Sequence, residues 1–201
     1  MHTTGPNDLM TRRRLLARMA SLGLSLASLP LFAQTEKKPP KARLWNEKYE
    51  LAVDFEINQP DAWRYARPYV AVWVDNKEGK SVRTLCLWVR TTGRGPRWIP
   101  DLRRWYRNEQ ERRRGGGTDL VSTVSSATRM PGKYTLVWDG KDDTGKPVEQ
   151  GDYSIYLEAA REHGTYQLLR KDVTIGGKAF KHELEGNVEI RKATLEYRKR
   201  K

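Results

Sequence analysis

Apolar and polar residues alternate along seven short stretches of this chain. The stretches are rich in β-branched and aromatic residues, which pack well on a pleated sheet surface. They are Tyr49–Ile57, Tyr69–Asp75, Val82–Val89, Tyr134–Trp138, Tyr153–Ala159, Tyr166–Ile175 and Val188–Tyr197. Turn-forming Asn, Gly and Pro residues separate most of them. The pattern therefore predicts an all-β domain.

This number and spacing of strands is typical of an immunoglobulin-like antiparallel β-sandwich. The disulfide that joins the two sheets of antibody domains is excluded here, because the chain has one cysteine, Cys86. Cys86 lies within the apolar run Leu85–Trp88. That position favours a small core residue over a reactive thiol.

One segment between the third and fourth predicted strands does not alternate. Apolar residues at positions 98, 102, 105 and 106 predict a short amphipathic helix over 98–107, with Pro100 in its first turn. The following residues 108–117 are strongly basic and end in three glycines, which predicts a mobile loop. The sandwich is thus expected to carry a helical and basic loop insertion, and long insertions are often functional.

The segment from Tyr134 to Tyr153 has the clearest local signature. It contains Trp138-Asp139-Gly140 and a second turn, Thr144-Gly145, before the next strand. Glycine accepts positive φ, and aspartate bonds nearby backbone amides, so we expect a glycine-rich hairpin. The pattern resembles the immunoglobulin-like module of flagellar hook-capping proteins and of many secreted bacterial proteins.

The N-terminal residues have the organisation of a signal peptide. Three consecutive arginines, Arg12 to Arg14, precede an apolar stretch that ends at Ala33 and is too short for a permanent membrane span. The order Thr-Arg-Arg-x-Leu-Leu resembles a twin-arginine signal. We therefore predict a signal peptide over 1–33, a linker over 34–47 and a sandwich domain over 48–198. An uncut leader that acts as a membrane anchor is the alternative.

Export changes the interpretation of the charge. The chain carries a net charge of +13, of which +3 belongs to the predicted leader, leaving +10. Such a field favours anionic partners. Nucleic acid is not expected in a bacterial periplasm, so an anionic surface or an acidic protein is the more natural partner. The basic runs 112–114 and 198–201 are either solvated or in contact with such a partner.

Most of the predicted domain also resembles a family of predicted periplasmic proteins that contains domain of unknown function 2271. The resemblance rests on residues 67–74, 83–88, 98–105, 125–132, 158–164 and the hairpin segment. It implies a periplasmic location and the sandwich fold. It implies no reaction.

The hydroxyl-rich segment 122–128 is the candidate site. Its ending, Ser125-Ser126-Ala127-Thr128, is similar to the flavinylation motif Asp-x-x-Ser/Thr-Gly-Ala-Thr of exported flavoproteins, with Ser122 in place of Asp and Ser126 in place of Gly. By this resemblance Thr128 would carry covalent FMN, with Ser125 and Ala127 in matching places. The positive charge of Arg129 would suit the flavin phosphate. The aromatic residues Trp98, Trp105 and Tyr106 and the arginines Arg103 and Arg104 are further candidates for flavin contacts. A plain polar loop is the alternative.

Other chemistry has weaker signals. Asp139, Asp142 and Asp143 lie close together but lack the spacing of a calcium-binding loop, so turn chemistry explains them. His163 and His182 have no companions at ligand spacing, and we predict no metal site. No nucleophile elbow or nucleotide-binding motif is present. The chain is therefore not expected to be an enzyme.

Two functions remain open from the sequence. The first is a periplasmic binding or interaction protein without catalysis and without a firmly predicted cofactor. The second is a periplasmic electron carrier in which a flavin transferase has attached FMN to Thr128. This carrier would exchange electrons with a membrane redox subunit. Either would act beside a periplasmic or inner-membrane protein.

Overall fold

The computed structural model describes residues 43–59 and 65–200. The predicted signal peptide and most of the predicted linker lie outside the described residues. Among those residues, no helix has the length and apolar character that crossing a membrane requires.

The described residues form nine strands in two sheets. The strands are β1 (Tyr49–Ile57), β2 (Tyr69–Asn76), β3 (Ser81–Trp88), β4 (Ser125–Ser126), β5 (Gly132–Trp138), β6 (Gly151–Ala160), β7 (Tyr166–Ile175), β8 (Phe180–Glu185) and β9 (Ile190–Lys199). One sheet has the order β5-β1-β9-β8, and the other has the order β4-β3-β2-β6-β7. Every pairing is antiparallel except the short parallel pairing of β3 with β4. The fold is therefore mostly β and sandwich-like, and the immunoglobulin-like type stays a prediction.

The main core lies between the two sheets. Alternate residues of each strand point inward, and Trp138 at the end of β5 is fully buried. Trp45 packs against Trp138 and Tyr197, with ring centroids 4.8 and 5.5 Å apart, and is 5% exposed. Residue 45 falls within the predicted linker, yet its side chain belongs to the core of the folded domain.

The segment 134–153 is not a hairpin between paired strands. β5 pairs with β1, whereas β6 pairs with β2 and β7 in the other sheet. The connection therefore crosses from one sheet to the other. Its turn chemistry is as predicted: a local bridge joins Lys141 to Pro147, and Gly140 has a φ of 78°.

The edge strand β8 was not expected from the sequence. Its residues, Phe-Lys-His-Glu-Leu-Glu, alternate between half-buried and exposed positions and contain only two apolar side chains. Such a strand has a weak apolar signal because one face meets solvent. Pairing with β9 over Phe180 to Glu185 supplies the backbone hydrogen bonds that make it a strand.

The insertion between β3 and β4 is ordered along its length. A 3-10 helix, Gly95–Asp101, is followed by α1 (Arg103–Arg114) and α2 (Leu120–Val124). The prediction of a mobile loop over 108–117 was therefore wrong, because the helix continues to Arg114. Asn108 is buried against β2, where it donates to Asp75, and buried Glu109 accepts hydrogen bonds from Arg112 and from the N–H of Leu120.

The insertion covers the outer face of the five-stranded sheet and creates a second core. Tyr69, Ala71 and Trp73 of β2 point into it, and Trp105 of α1 packs over them. Trp73 stacks on Tyr156 with centroids 4.8 Å apart. As a result β2 is buried from Tyr69 to Asp75, since both of its faces are covered.

Buried acidic residues fasten the insertion to the sheet. Glu158 of β6 accepts the backbone N–H groups of Arg104 and Trp105, each at 2.8 Å, and the hydroxyl of Tyr166 at 2.8 Å. Asp75 accepts both of its hydrogen bonds from the Asn108 amide at 3.2 Å. Burial raises the pKa of both carboxyl groups, while these donors lower it. The N-terminus of α1 is thus capped by a side chain from another element.

Candidate functional site

The hydroxyl-rich segment begins as a short helix and ends as a strand. Asp119 caps α2 by accepting the N–H of Val121 at 3.0 Å. The hydroxyls of Ser122 and Thr123 donate back to the carbonyl oxygen of Asp119. Their hydrogen bonds are therefore used locally, which is usual for Ser and Thr in a short helix.

The next residues lie along the edge of the five-stranded sheet. Ser125 and Ser126 form β4 and pair with Leu87 and Trp88, and the carbonyl of Ser126 accepts the N–H of Val89 at 2.9 Å. Ala127 is exposed, whereas Thr128 is 8% exposed. The pairing with β3 gives Thr128 a defined place beside the sheet.

Thr128 lines a pocket of about 490 Å³. The other lining residues are Tyr65, Ala66, Arg67, Tyr69, Arg90 and Glu162. We call this the Thr128 pocket. In this pocket Thr128, the candidate acceptor of FMN, lies beside charged side chains.

Strand direction explains why these residues meet. Arg67 precedes β2, Arg90 follows β3, and Glu162 follows β6. Because β2 is antiparallel to both neighbours, the start of β2 and the ends of β3 and β6 lie at one end of the sheet. β4 runs parallel to β3 and therefore delivers Thr128 to the same end.

The Thr128 pocket is electropositive. Two arginines, Arg67 and Arg90, face one carboxylate, Glu162. Within residues 43–59 and 65–200, no carboxylate lies at ion-pair distance from either arginine. Unpaired guanidinium groups at a concave surface favour anions with planar or tetrahedral oxygens.

Two tyrosines form part of the wall. The hydroxyl of Tyr69 donates to the carbonyl of Gly95 at 2.9 Å, which fastens the 3-10 helix beside the pocket. The hydroxyl of Tyr65 is buried without a hydrogen-bond partner among the described residues. Burial raises the pKa of both tyrosines, so both hydroxyls stay protonated at neutral pH. Tyr65 therefore offers an unused donor close to the arginines.

The predicted site residues are only partly brought together. Arg129 is exposed, and its guanidinium lies 5.6 Å from the ring centroid of Trp88. Ser125 is half-buried in β4. Of the four predicted residues, Thr128 alone lines the Thr128 pocket.

The aromatic and basic residues of the insertion serve other contacts. Trp105 belongs to the second core and is 2% exposed. Arg104 lies 3.6 Å from Asp75. Trp98 packs edge-on against His163, with centroids 4.7 Å apart, and lines a different, smaller pocket. None of these three lines the Thr128 pocket.

Two aspartates of the crossing connection, Asp139 and Asp142, accept hydrogen bonds within the turn, whereas Asp143 bonds to strand β3. Burial by itself would raise the pKa of Asp142, but hydrogen bonds from Thr144 and Lys146 lower it below its usual value. Asp143 accepts the N–H of Thr84 at 3.0 Å. The described residues contain no group of three or more His, Cys, Asp or Glu side chains arranged for a metal ion. Cys86 is buried in the main core, and this burial raises the pKa of its thiol.

Sequence reasoning missed Tyr65, Arg67, Arg90 and Glu162. A signal existed, since Arg67, Arg90 and Glu162 each lie next to the end of a predicted strand. Using that signal required the order of the strands in the sheet. Alternation alone does not show which strand ends lie side by side.

Comparison with known proteins adds the family. The family model described as a predicted periplasmic protein with domain of unknown function 2271 matches residues 50–192. No curated protein and no solved structure matches the chain. The matched region includes strands β2 to β8, all but the first residue of β1, the first three residues of β9, the insertion and the Thr128 pocket. The chain therefore belongs to the periplasmic protein family defined by domain of unknown function 2271.

Proposed function

We propose that this protein is a non-catalytic periplasmic binding protein that holds an anionic group in the Thr128 pocket. The observation that carries the proposal is the pair Arg67 and Arg90, which line one pocket without a described carboxylate partner. Two positive charges held close together repel each other, and a bound anion removes that repulsion. Tyr65, another lining residue, has a neutral hydroxyl donor that no described residue uses.

Phosphate is the probe that tests this binding. We expect inorganic phosphate, but not chloride at equal ionic strength, to shift the backbone amide resonances of Arg67, Arg90 and Thr128. The double variant Arg67→Gln/Arg90→Gln should weaken phosphate binding by about a hundredfold, because hydrogen bonds to charged groups contribute about 1.5–3 kcal/mol each.

A control with the same loss of charge distinguishes a site from general attraction. Lys178→Gln/Lys181→Gln removes two exposed charges far from the pocket in sequence and outside its lining. This variant should bind phosphate as the native protein does. The proposal would be contradicted if both double variants bound phosphate equally weakly, or if phosphate did not shift the amide resonances of the native protein.

Covalent attachment of FMN to Thr128 is the second candidate function. The observation that favours it is that the candidate acceptor, Thr128, lines the same pocket as Arg67 and Arg90. These arginines suit the phosphate of a flavin, and Tyr65 and Tyr69 suit its ring. The bound flavin would supply reversible electron storage, and the protein would then be an electron carrier. Thr128 is 8% exposed, so a transferase would need this segment to open.

A fluorescent protein band separates the two candidates. When the protein is exported together with a periplasmic flavin transferase, flavinylation predicts a yellow band that survives denaturation and a matching mass increase. Thr128→Ala should abolish the band, whereas Ser126→Ala should retain it, because Ser126 lies outside the pocket lining. Protein of unmodified mass under these conditions would exclude flavinylation and leave anion binding as the function.

A further inference from the structure

The solvent-facing side of α1 carries a row of arginines. Positions 103, 107, 110 and 114 follow the spacing that places residues on one face of a helix. Three of them, Arg103, Arg107 and Arg114, are exposed arginines. Trp105, Asn108 and Glu109 lie on the opposite face and are buried. We call Arg103, Arg107 and Arg114 the arginine row, which extends about 16 Å along the helix.

Helix stability explains Arg114, which lies in the last turn where positive charge is favoured, but it does not explain Arg103 and Arg107. The first turn of α1 has no acidic residue, although negative charge is favoured there and positive charge is not. Arg103 and Arg107 are four residues apart, a spacing at which like charges repel. Glu158, supplied by the sheet, offsets part of this cost at the first turn. An exposed Gln or Glu would satisfy positions 103 and 107 at lower cost.

The arginine row is also free of described acidic partners. No described carboxylate lies within ion-pair distance of Arg103, Arg107 or Arg114. Arg103 extends over the ring of Tyr166 at 4.7 Å, which holds its guanidinium in place. Within α1 the two acidic residues are Glu109, which is buried, and Glu111. The helix therefore presents a fixed surface of positive charge.

We propose that the arginine row docks the protein on an anionic phospholipid surface. A protein of the periplasm lies between membranes, and lipid phosphates form a dense array of anionic oxygens that suits a line of guanidinium groups. The two aromatic residues of α1 pack into the second core, Trp105 buried and Tyr106 half-buried, so neither stands out from the helix as an anchor for a protein partner. Specific protein interfaces usually rely on such anchors, and a lipid surface does not need them.

Vesicle sedimentation tests the docking. Protein recovered from the periplasm is mixed at low salt with vesicles of phosphatidylcholine containing phosphatidylglycerol, and with vesicles of phosphatidylcholine alone. We expect binding to the first vesicles only, lost at high salt because the attraction is screened. Arg103→Gln/Arg107→Gln/Arg114→Gln should weaken this binding by about a hundredfold, since each basic residue near an anionic membrane contributes about 1 kcal/mol.

Two further variants make the result specific. Lys178→Gln/Lys181→Gln/Lys192→Gln has the same net charge as the row variant but alters other exposed residues, and should bind nearly as well as the native protein. Replacing the three arginines of the row by lysine should preserve binding, because a lipid surface responds to charge. Thermal melting checks that each variant is folded.

Three results would overturn the proposal. They are no binding of the native protein to the anionic vesicles, equal weakening in the two glutamine triple variants, and loss of binding on replacement by lysine. The last would point to a shaped acidic protein partner, which requires the planar guanidinium group.

Discussion

Replacing Gly140 with alanine should lower the free energy of unfolding by about 3–5 kcal/mol, the range found when a large aromatic side chain is removed from a core. Gly140 has a φ of 78°, and a Cβ atom there would lie 2.1 Å from the Trp45 ring. The ring has no room to shift within the core, since Trp138 and Tyr197 pack against it. The substitution therefore displaces Trp45 from the core and strains the turn as well.

Gly145 provides the matched control for this prediction. It lies in the same connection with a φ of 83°, but a Cβ atom there would meet nothing within 4 Å. Gly145→Ala should cost only about 1–2 kcal/mol, the usual penalty for a left-handed residue other than glycine. Urea unfolding followed by tryptophan fluorescence measures both variants. Equal losses would show that backbone conformation alone, and not the contact with Trp45, requires glycine at position 140.

Replacing Glu158 with alanine should release α1 from the sheet and lower stability by about 3–5 kcal/mol. The variant removes the acceptor of three hydrogen bonds, from the backbones of Arg104 and Trp105 and from the Tyr166 hydroxyl. The donors stay largely buried, so the cost of leaving them unsatisfied is high. The variant also removes the carboxylate that is hydrogen-bonded to the first turn of α1, at the positive end of the helix dipole.

Hydrogen exchange locates the effect of this variant. Exchange should accelerate most at the amides of α1, because the insertion packs on its own core, separate from the core between the sheets. Glu158→Gln keeps an acceptor oxygen and should therefore lose less stability than Glu158→Ala. Tyr166→Phe should lower the free energy of unfolding by about 1 kcal/mol. If amide exchange accelerated equally in α1 and in the strands of both sheets, this would contradict the anchoring role of Glu158.

The same anchor links the fold to the two proposed surfaces. α1 carries the arginine row, and the 3-10 helix before it is fastened to the Thr128 pocket through Tyr69 and Gly95. A Cβ atom at Gly95 would lie 2.4 Å from the carbonyl oxygen of Arg90, so the helix can approach the pocket wall only because this residue is glycine. We therefore expect variants that release the insertion to weaken vesicle binding and phosphate binding together.

The sequence by itself determined most of the strands. Alternation identified seven of them, because a strand with one face in a core repeats every two residues. It also placed the insertion, whose different spacing interrupts that repeat. The apolar residues of β2 were recognised from the sequence. That both faces of β2 are buried was not, because the second face is covered by the insertion, whose position depends on the tertiary fold.

Only the tertiary structure decided how the strands are arranged and which residues form the pocket. The turn signals around Gly140 were correct, yet β5 and β6 belong to different sheets, because pairing depends on distant partners and not on the turn. Helix α1 continues through a polar and basic segment because Glu158 and Asp75 of the sheet accept hydrogen bonds from its backbone and from its buried Asn108. Thr128 was identified by its local motif, which is a property of consecutive residues. Arg67 and Arg90 line the same pocket as Thr128 because of the order of the strands in the sheet. No local pattern in the sequence specifies that order.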